Sequence, residues 1–417
     1  MKLLYKFFLS LILVIYFCFP IFSFADDIVE EPSSNVLEVT SNSITSEPPS
    51  INARHSVVLD RLSGTILYGK NENEKCKMAS TTKILTAIVV IENSSDLSSI
   101  VTVSSKSAHT GGSRLGLSTD DKVSIKDLLY GLLMVSGNDA AVALAESVGN
   151  DVNGFSNLMN QKASDLGLSS SHFVTPHGLD DNDHYTTAYE LAKIANYALK
   201  NEVFAKIVRT SNYTININGN PKNLHNTNEL LGYLDGVYGV KTGFTNGANR
   251  CLVTACTRGN LDIICVVLGC DTKKDRTLDS VKLINYVFGN FTVVDVKSFI
   301  ERDFSSWLDA NSKSIFVDKG VYSELKFCLN ESQILFDKIA VKNEDLENVQ
   351  TFIDFSNSFI APLDENSSIG SLTLCVGGND CFSVDILCSS FVRRKGIWDY
   401  WKVFFEEFLV CFGEWFL

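Results

Sequence analysis

Strand-like runs stand on both sides of a long helical stretch, and this order limits the fold more than any other feature of the sequence. Two strand-like runs come first, at 56–60 and 65–68, with a turn at Leu62-Ser63-Gly64 between them. Apolar residues then recur at helical spacing in the segments 80–91, 123–134, 139–148 and 187–199. Strand patterns return at 237–242, 251–256 and 262–268, followed by a helix at 276–287. This order predicts an α+β layer, a sheet flanked by helices, in a domain over residues 53–290.

The pattern changes again near residue 291. Short strand-like runs separated by turn residues occur at 314–317, 333–336, 370–374 and 384–387. Such runs predict a second, small all-β domain over residues 291–392. Cysteines in apolar strand-like runs are expected to be small buried hydrophobes, namely Cys251, Cys256, Cys265 and Cys388.

Residues 393–417 combine a charged arc with a broad aromatic face. On a helical wheel one arc holds the charged side chains Asp399, Lys402, Glu406, Glu407 and Glu414. Four acidic residues and a lysine disfavour a membrane-spanning helix. The pattern predicts an amphipathic helix that anchors the chain peripherally at a membrane surface, with Arg393-Arg394-Lys395 against anionic headgroups. The alternative is a helix that packs on the β domain or on another chain.

The N-terminus has the features of a secretory signal peptide, predicted over residues 1–25. Lys2 and Lys6 give a basic start, an apolar run follows, and Ser23-Phe24-Ala25 supplies small residues at the cleavage positions. An uncleaved membrane anchor is the alternative, and both place the remaining chain outside the cytoplasm. Residues 26–52, rich in Ser, Glu, Asn and Pro, are predicted to form a flexible linker.

Charge and composition exclude several classes of partner. The net charge of −13, from 36 basic and 49 acidic residues, argues against nucleic acid because the chain has no basic run beyond Arg393-Arg394-Lys395. The six histidines and eleven cysteines show no zinc-ligand spacing. The sequence therefore predicts no metal and no cofactor.

Ser80-Thr81-Thr82-Lys83 is the first of three short motifs that carry chemistry. Residues three apart on a helix lie on one face, so Lys83 can reach Ser80. A serine hydroxyl becomes a nucleophile when a base takes its proton, and a lysine whose pKa is lowered by burial or by a second cation, such as Lys241, can be that base. The motif alone also fits a serine at a helix start, and Ser323-Glu324-Leu325-Lys326 matches it too.

Ser136-Gly137-Asn138 and Lys241-Thr242-Gly243 are the other two motifs. Ser136 can relay a proton to a leaving amine and Asn138 can bind a substrate amide, although a helix N-cap has the same pattern. The last motif ends a strand, where its side chains can meet an anion and its glycine admits a substrate backbone to the strand edge. The three motifs together, on helix, loop and strand, indicate a serine acyl-transfer enzyme whose base is a lysine.

The chain resembles the D-alanyl-D-alanine carboxypeptidases, serine peptidases of the low-molecular-mass penicillin-binding protein family. Beyond the three motifs the resemblance covers Ser136–Ala141, His177-Gly178-Leu179-Asp180, Thr187–Ala192, Val240–Thr245, and Ile360-Ala361-Pro362-Leu363 with Ile369-Gly370. It implies a β-lactamase/transpeptidase-like catalytic domain, with an antiparallel sheet, flanking helices and a helical subdomain. A small β domain and a terminal amphipathic helix belong to the same plan.

The resemblance also implies a role for each site residue. Ser80 would attack the penultimate D-Ala carbonyl of a peptidoglycan stem pentapeptide, Lys83 would take its proton, and Ser136 would pass a proton to the departing D-Ala. Backbone N–H groups of Ser80 and Phe244 would form the oxyanion hole, and penicillins would acylate Ser80 but hydrolyse slowly. The substrate-binding residues would be Asn138, Lys241, Thr242, Gly243, Phe244 and Thr245.

Two stretches depart from the family pattern. Asn226-Thr227-Asn228 stands where many members have N-R-N, so Thr227 replaces an arginine that helps to bind the substrate carboxylate. Gly247-Ala248-Asn249-Arg250 introduces a cation, Arg250, whose direction the sequence does not fix. We expect altered substrate affinity rather than loss of acylation.

Two other functions share part of this pattern. A β-lactamase has the same motifs, but this chain adds a β domain and an interfacial helix and has no convincing E-x-x-L-N motif between Asn138 and Lys241. A catalytically silent wall-binding protein would not need intact Ser80, Lys83 and Ser136. The main prediction is therefore a penicillin-sensitive D-Ala-D-Ala carboxypeptidase.

Overall fold

The computed structural model describes residues 46–417 apart from 313–314, 322–324, 335 and 415–417. The chain forms two compact units, one of residues up to Leu59 with Ile66–Val287 and one of Asp60–Thr65 with Phe288–Leu417. The predicted signal peptide, and the predicted linker as far as residue 45, lie outside the described residues. The domain limits given above stay predictions.

The first unit is built on a five-stranded sheet. The strands among the described residues of this unit are, in chain order, β1 (His55–Asp60), β2 (Ile66–Lys70), β3 (Ile100–Thr102), β4 (Lys122–Ser124), β5 (Asn212–Ile217), β6 (Asn220–His225), β7 (Val237–Thr245), β8 (Asn249–Arg258) and β9 (Leu261–Cys270). The sheet has the order β2-β1-β9-β8-β7, and β3–β4 and β5–β6 form separate pairs. The pairs β1–β2, β7–β8 and β8–β9 are antiparallel. β7 lies at an edge of the sheet, which places Lys241-Thr242-Gly243 beside an unpaired strand edge.

Helices surround this sheet and fill the middle of the unit. They are α1 (Lys83–Asn93), α2 (Ser105–Ala108), α3 (Ile125–Met134), α4 (Asn138–Gly149), α5 (Val152–Asp165), α6 (Ala188–Ala198), α7 (Glu202–Arg209) and α8 (Lys273–Asn290). Ser124 and Thr187 begin α3 and α6 because their hydroxyls accept N–H groups that the first turn leaves without helical partners. Residues 83–90 of α1 are all buried, so this helix runs through the core and fixes its first residue, Lys83, in the interior.

The second unit has a small sheet with a helix packed on it. Its strands are β10 (Phe291–Asp295), β11 (Phe316–Asp318), β12 (Phe327–Leu329), β13 (Lys338–Lys342), β14 (Val349–Phe355), β15 (Ser358–Ile360), β16 (Ser368–Val376) and β17 (Asn379–Cys388). Four of them form a sheet of order β12-β17-β16-β14. A helix that the sequence did not predict, α9 (Val296–Asn311), buries Ile300 against Leu372 and Leu374. The strand expected at 333–336 is absent from the described residues there, and a 3-10 turn covers Glu331–Gln333.

The last element that the structure describes is the helix α10 (Ile397–Glu414), in the segment where the sequence predicts a helix. No described helix is both long enough and apolar enough to cross a membrane. Strands, helices, a β-rich second unit and a terminal helix confirm the predicted α+β class. The four cysteines expected to be buried are buried.

Candidate active site

Ser80 lies in a 3-10 turn, Ala79–Thr82, that leads directly into α1. Thr81 closes the turn, because its hydroxyl donates to the carbonyl oxygen of Met78 at 2.5 Å. Lys83 is the first residue of α1, and its Nζ lies 2.9 Å from Ser80 Oγ. The three-residue spacing therefore brings hydroxyl and amine into contact, as the sequence predicts.

The Lys83 amine is fixed by two further contacts from distant segments. Its Nζ donates to Asn138 Oδ1 at 2.7 Å and to the carbonyl oxygen of His177 at 2.9 Å. The side chain is fully buried. Both oxygens are acceptors only, so two hydrogens of the amine point away from Ser80.

The loop between α3 and α4 carries the second motif. Ser136 has a φ of +61° and is buried, and within the described part of the chain its Oγ has no hydrogen-bond partner. Asn138 starts α4 and donates from Nδ2 to the carbonyl oxygen of Gly111 at 2.7 Å. A Cβ at Gly112 would lie 2.5 Å from Asn138 Nδ2, so this wall of the site needs glycine.

Asp139 ties the same wall to α4, a role that the sequence did not single out. Its carboxylate accepts the backbone N–H groups of Leu115, Gly116 and Leu117 at 2.7, 2.7 and 3.0 Å. The side chain is fully buried, so these bonds replace its lost hydration. Asp139 lies in Ser136–Ala141, one of the segments that resemble the family, and this position is the sequence feature that could have identified it.

β7 brings the third motif against the serine turn. A Cβ at Gly243 would lie 3.1 Å from Ser80 N, which shows how closely the strand and the turn approach. Lys241 is buried and donates from Nζ to the carbonyl oxygen of Thr242 at 2.9 Å. The three motifs thus come together through the pairs Lys83–Asn138 and Gly243–Ser80.

Thr227 contacts the third motif, and the Arg250 guanidinium lies over the ring of Phe244. The hydroxyls of Thr227 and Thr242 are 2.9 Å apart, so the position that departs from the family pattern borders β7. Arg250 pairs with Phe244 across β7 and β8, and its guanidinium lies 3.9 Å from the centre of the Phe244 ring. Because side chains alternate along a strand, Arg250 is on the face opposite Lys241 and Gly243 and on the same face as Thr242.

Thr245 is engaged by an aspartate of the His177-Gly178-Leu179-Asp180 segment. Its hydroxyl donates to Asp180 Oδ1 at 2.7 Å, since a carboxylate oxygen can only accept. The other oxygen of Asp180 accepts the N–H of Gly247 at 2.8 Å. Asp180 therefore fixes the β7–β8 turn, and the Thr245 hydroxyl hydrogen points to Asp180.

Two histidines lie next to the serine turn, of which His184 is buried and His177 is half-buried. Desolvation of the ring, together with the positive charge that Lys83 carries when it is protonated, lowers the pKa of His177 to about 3. Burial lowers the pKa of His184 to about 4, although Asp181 acts in the opposite direction. Both rings are neutral at neutral pH. No motif in the sequence includes His184, which lies between the segments His177–Asp180 and Thr187–Ala192 that carry the resemblance.

No group of three or more His, Cys, Asp or Glu residues suited to a metal ion is found among the residues that the structure describes. The chemistry that the site supports is acyl transfer to Ser80 with Lys83 as base.

A protein-family model described as D-alanyl-D-alanine carboxypeptidase (Peptidase_S11) matches residues 42–272. The chain belongs to the D-alanyl-D-alanine carboxypeptidase family. The predicted carboxypeptidase function of a penicillin-binding protein is thereby confirmed, and the comparisons support it rather than the two alternatives.

Relatives and solved structures agree with this family. The chain is 32% identical to the D-alanyl-D-alanine carboxypeptidase DacF of Bacillus subtilis over 87% of this chain and 90% of the relative. Its fold is similar to penicillin binding protein 5 from Haemophilus influenzae, with a TM-score of 0.68, 28% identity, and coverage of 84% of this chain and 99% of that one. It is also similar to the Streptomyces K15 DD-transpeptidase, with a TM-score of 0.56, 36% identity, and coverage of 58% and 99%.

Proposed function

We propose that this carboxypeptidase removes the terminal D-Ala of peptidoglycan stem pentapeptides through an acyl-enzyme on Ser80. Ser80 Oγ forms an ester with the carbonyl carbon of the penultimate D-Ala, and the amide C–N bond breaks. The terminal D-Ala leaves as an amine that has gained a proton, and water then hydrolyses the ester. The contact between Lys83 Nζ and Ser80 Oγ at 2.9 Å carries this proposal.

Lys83 acts as the general base in its neutral form. Two hydrogens of the amine point to Asn138 Oδ1 and the His177 carbonyl oxygen, both at hydrogen-bond distance. A neutral amine has two hydrogens and one lone pair, so this arrangement presents the lone pair to the Ser80 proton. Complete burial of Lys83 favours the neutral form because it disfavours an isolated charge.

The backbone N–H groups of Ser80 and Phe244 stabilise the developing oxyanion. Gly243 supports this role, because its close approach to Ser80 N brings the end of β7 to the serine turn. Ser136 returns the proton to the leaving D-Ala. Its buried hydroxyl, without a partner among the described residues, is available for that exchange.

Asn138, Lys241, Thr242 and Thr245 bind the substrate around this centre. Asn138 Nδ2 has a second hydrogen for the substrate amide beyond the one given to Gly111. Carboxylate capture rests mainly on Lys241 and Thr242, because the Thr245 hydroxyl must first leave Asp180. The substrate backbone pairs with the free edge of β7.

A labelling experiment tests the nucleophile. Wild-type protein is expected to bind fluorescent penicillin covalently and to release D-Ala from a Lys-D-Ala-D-Ala peptide, and Ser80→Ala is expected to lose both. Ser323→Ala is the matched control, since it alters the serine of the second S-x-x-K sequence and keeps both activities. Undiminished labelling of Ser80→Ala would overturn the proposal. With an added amine acceptor, the ratio of the amine-linked product to the hydrolysed peptide measures how much acyl-enzyme passes to an amine instead of water.

We further propose that the enzyme works outside the cytoplasm, held peripherally at a membrane surface by α10. Large side chains of this helix are exposed, including Trp398 at 82%, Trp401 at 53% and Phe404 at 56%. Exposed aromatic rings on an amphipathic helix fit the apolar side of a lipid interface. The exposure supports this role over the alternative of packing on the β domain.

A further inference from the structure

The peptide group between Ala79 and Ser80 is enclosed on both sides by glycines. A Cβ at Gly178 would lie 1.9 Å from the Ala79 carbonyl oxygen, and a Cβ at Gly243 would lie 3.1 Å from Ser80 N. Ala79 itself has a φ of +50°, a backbone conformation that costs energy for a residue with a side chain. A peptide group kept in this conformation needs contacts that fix its orientation.

A buried threonine supplies one of these contacts. Thr82 Oγ1 lies 2.8 Å from the carbonyl oxygen of Ala79 and 2.8 Å from His184 Nε2. A carbonyl oxygen only accepts, so the single hydroxyl hydrogen of Thr82 is donated to Ala79. The hydroxyl must therefore accept a hydrogen from His184.

The contact made by Nδ1 of His184 shows that Nε2 carries this hydrogen. Nδ1 lies 3.0 Å from the backbone N of Val174, and a backbone N–H can only donate. Nδ1 therefore holds a lone pair, and the proton of the neutral ring is on Nε2. Burial keeps the ring neutral by lowering its pKa to about 4. The direction of the hydrogen bonds is thus His184 to Thr82 to the Ala79 carbonyl.

We propose that His184 and Thr82 are positioning residues that aim the Ser80 N–H at the oxyanion of the acylation transition state. A peptide group is planar and its N–H points opposite to its C=O, so fixing the Ala79 oxygen fixes the direction of the Ser80 hydrogen. This inference rests on the proposed oxyanion hole. Loss of one oxyanion donor typically costs about 10²–10³ in rate, and a donor that is present but badly aimed costs less.

The test separates binding from acylation. The binding constant and the acylation rate constant of a fluorescent penicillin are measured for wild type, Thr82→Val and Thr82→Ser. Thr82→Val keeps the shape but donates nothing, so we expect about tenfold slower acylation with an unchanged binding constant. Thr82→Ser keeps the hydroxyl and is expected to acylate within about twofold of wild type. A general structural defect would not be rescued by serine in this way.

Thr86→Val is the matched control. Thr86 lies one turn further along α1, is also buried, and donates to the Pro176 carbonyl oxygen at 2.7 Å without reaching the Ala79–Ser80 peptide. It is expected to acylate at the wild-type rate. Should Thr82→Val not fold, the pair His184→Leu and His184→Gln replaces it, with Leu slow and Gln, which retains a donor and an acceptor, closer to wild type.

The outcomes distinguish this inference from the proposed function. Labelling of Ser80→Ala would contradict the proposed nucleophile. If Ser80→Ala is not labelled but Thr82→Val acylates as fast as wild type, or slows no more than Thr86→Val, only the positioning role is overturned.

Discussion

At the scale of single residues, the hydroxyls of the site are distinguished by their partners. Ser80 Oγ contacts a buried amine, which is what activates a serine. The Thr245 hydroxyl donates a hydrogen bond to Asp180, and the Thr242 hydroxyl forms a hydrogen bond with the Thr227 hydroxyl. In the proposed mechanism the same functional group therefore serves as a nucleophile, a structural contact or a carboxylate ligand according to its neighbours.

Thr227→Arg is expected to strengthen binding of substrates that end in a free carboxylate. Thr227 contacts Thr242, so an arginine there places a cation beside the proposed carboxylate position. A charge-assisted hydrogen bond contributes about 1.5–3 kcal/mol, which predicts a KM roughly tenfold lower for Lys-D-Ala-D-Ala peptides.

Two controls make this prediction specific. Thr227→Gln introduces a long polar side chain without charge and is expected to leave KM near the wild-type value. A peptide with an amidated C-terminus is expected to gain nothing from Thr227→Arg. An equal gain for the carboxylate and the amide would contradict the proposed position of the carboxylate.

At the scale of elements, the irregular segment 172–187 contributes more to the site than its lack of helix or strand suggests. It gives the His177 carbonyl to Lys83, Asp180 to Thr245, and His184 to Thr82. Backbone bonds with Cys76 anchor its end at Thr186. These contacts fix the loop to the rest of the unit. The lowered pKa values of His177 and His184 also make the stability of the folded protein depend on pH.

His177 and His184 are expected to make the protein less stable in acid. Both folded-state pKa values, about 3 for His177 and about 4 for His184, lie below the ordinary value of 6.5. The unfolded chain therefore binds protons that the folded chain does not, and stability falls as pH drops from 6.5 towards 4. Each ring contributes a slope of about 1.4 kcal/mol per pH unit.

Unfolding of the full mature chain between pH 4 and 7 measures this slope. His184→Gln removes one titrating ring and is expected to flatten the dependence by about 1.4 kcal/mol per pH unit. His109→Gln, which changes an exposed ring, is expected to keep the wild-type slope. Identical slopes for wild type and His184→Gln would rule out a buried neutral His184.

At the scale of the whole molecule, the proposed catalytic and membrane-binding functions belong to different units. Every predicted catalytic residue belongs to the first unit, and α10 belongs to the second. A bidentate pair between Arg393 and Asp399, at 2.7 and 2.9 Å, fixes the start of α10. Removal of the aromatic face should therefore alter location without altering chemistry.

The triple change Trp401→Ser, Phe404→Ser and Phe408→Ser is expected to release the protein from vesicles that contain anionic lipid. Burial of one large apolar side chain contributes about 1.5–3 kcal/mol, so a loss of three predicts at least a hundredfold weaker partitioning. D-Ala release in solution is expected to stay at the wild-type level. Co-sedimentation with vesicles measures the partitioning.

The matched control changes the other side of the same helix, with Lys402→Ser and Glu406→Ser. We expect it to partition within a few-fold of wild type, because these side chains face water in the proposed orientation. Equal release by the aromatic and the charged variants would contradict anchoring through the aromatic face.

The local patterns of the chain were sufficient for much of the fold. The helices α1, α3, α4 and α6 and the strands β7–β9 were predicted because their apolar periods repeat over ten or so residues. Pairing of Ser80 with Lys83 followed from helical spacing alone. The helix α9 was missed in a segment assigned to the all-β domain, since its burial depends on the sheet beneath it.

The sequence by itself was sufficient for the family, for most elements of the first unit and for the contact between Ser80 and Lys83, because these depend on short segments whose spacing is local. Only the tertiary structure decided what surrounds them. Lys83 meets His177 from 94 residues away, and Thr82 meets His184 from 102 residues away. Such contacts depend on how the packed core closes rather than on local propensity, so no period or motif in the chain predicts them.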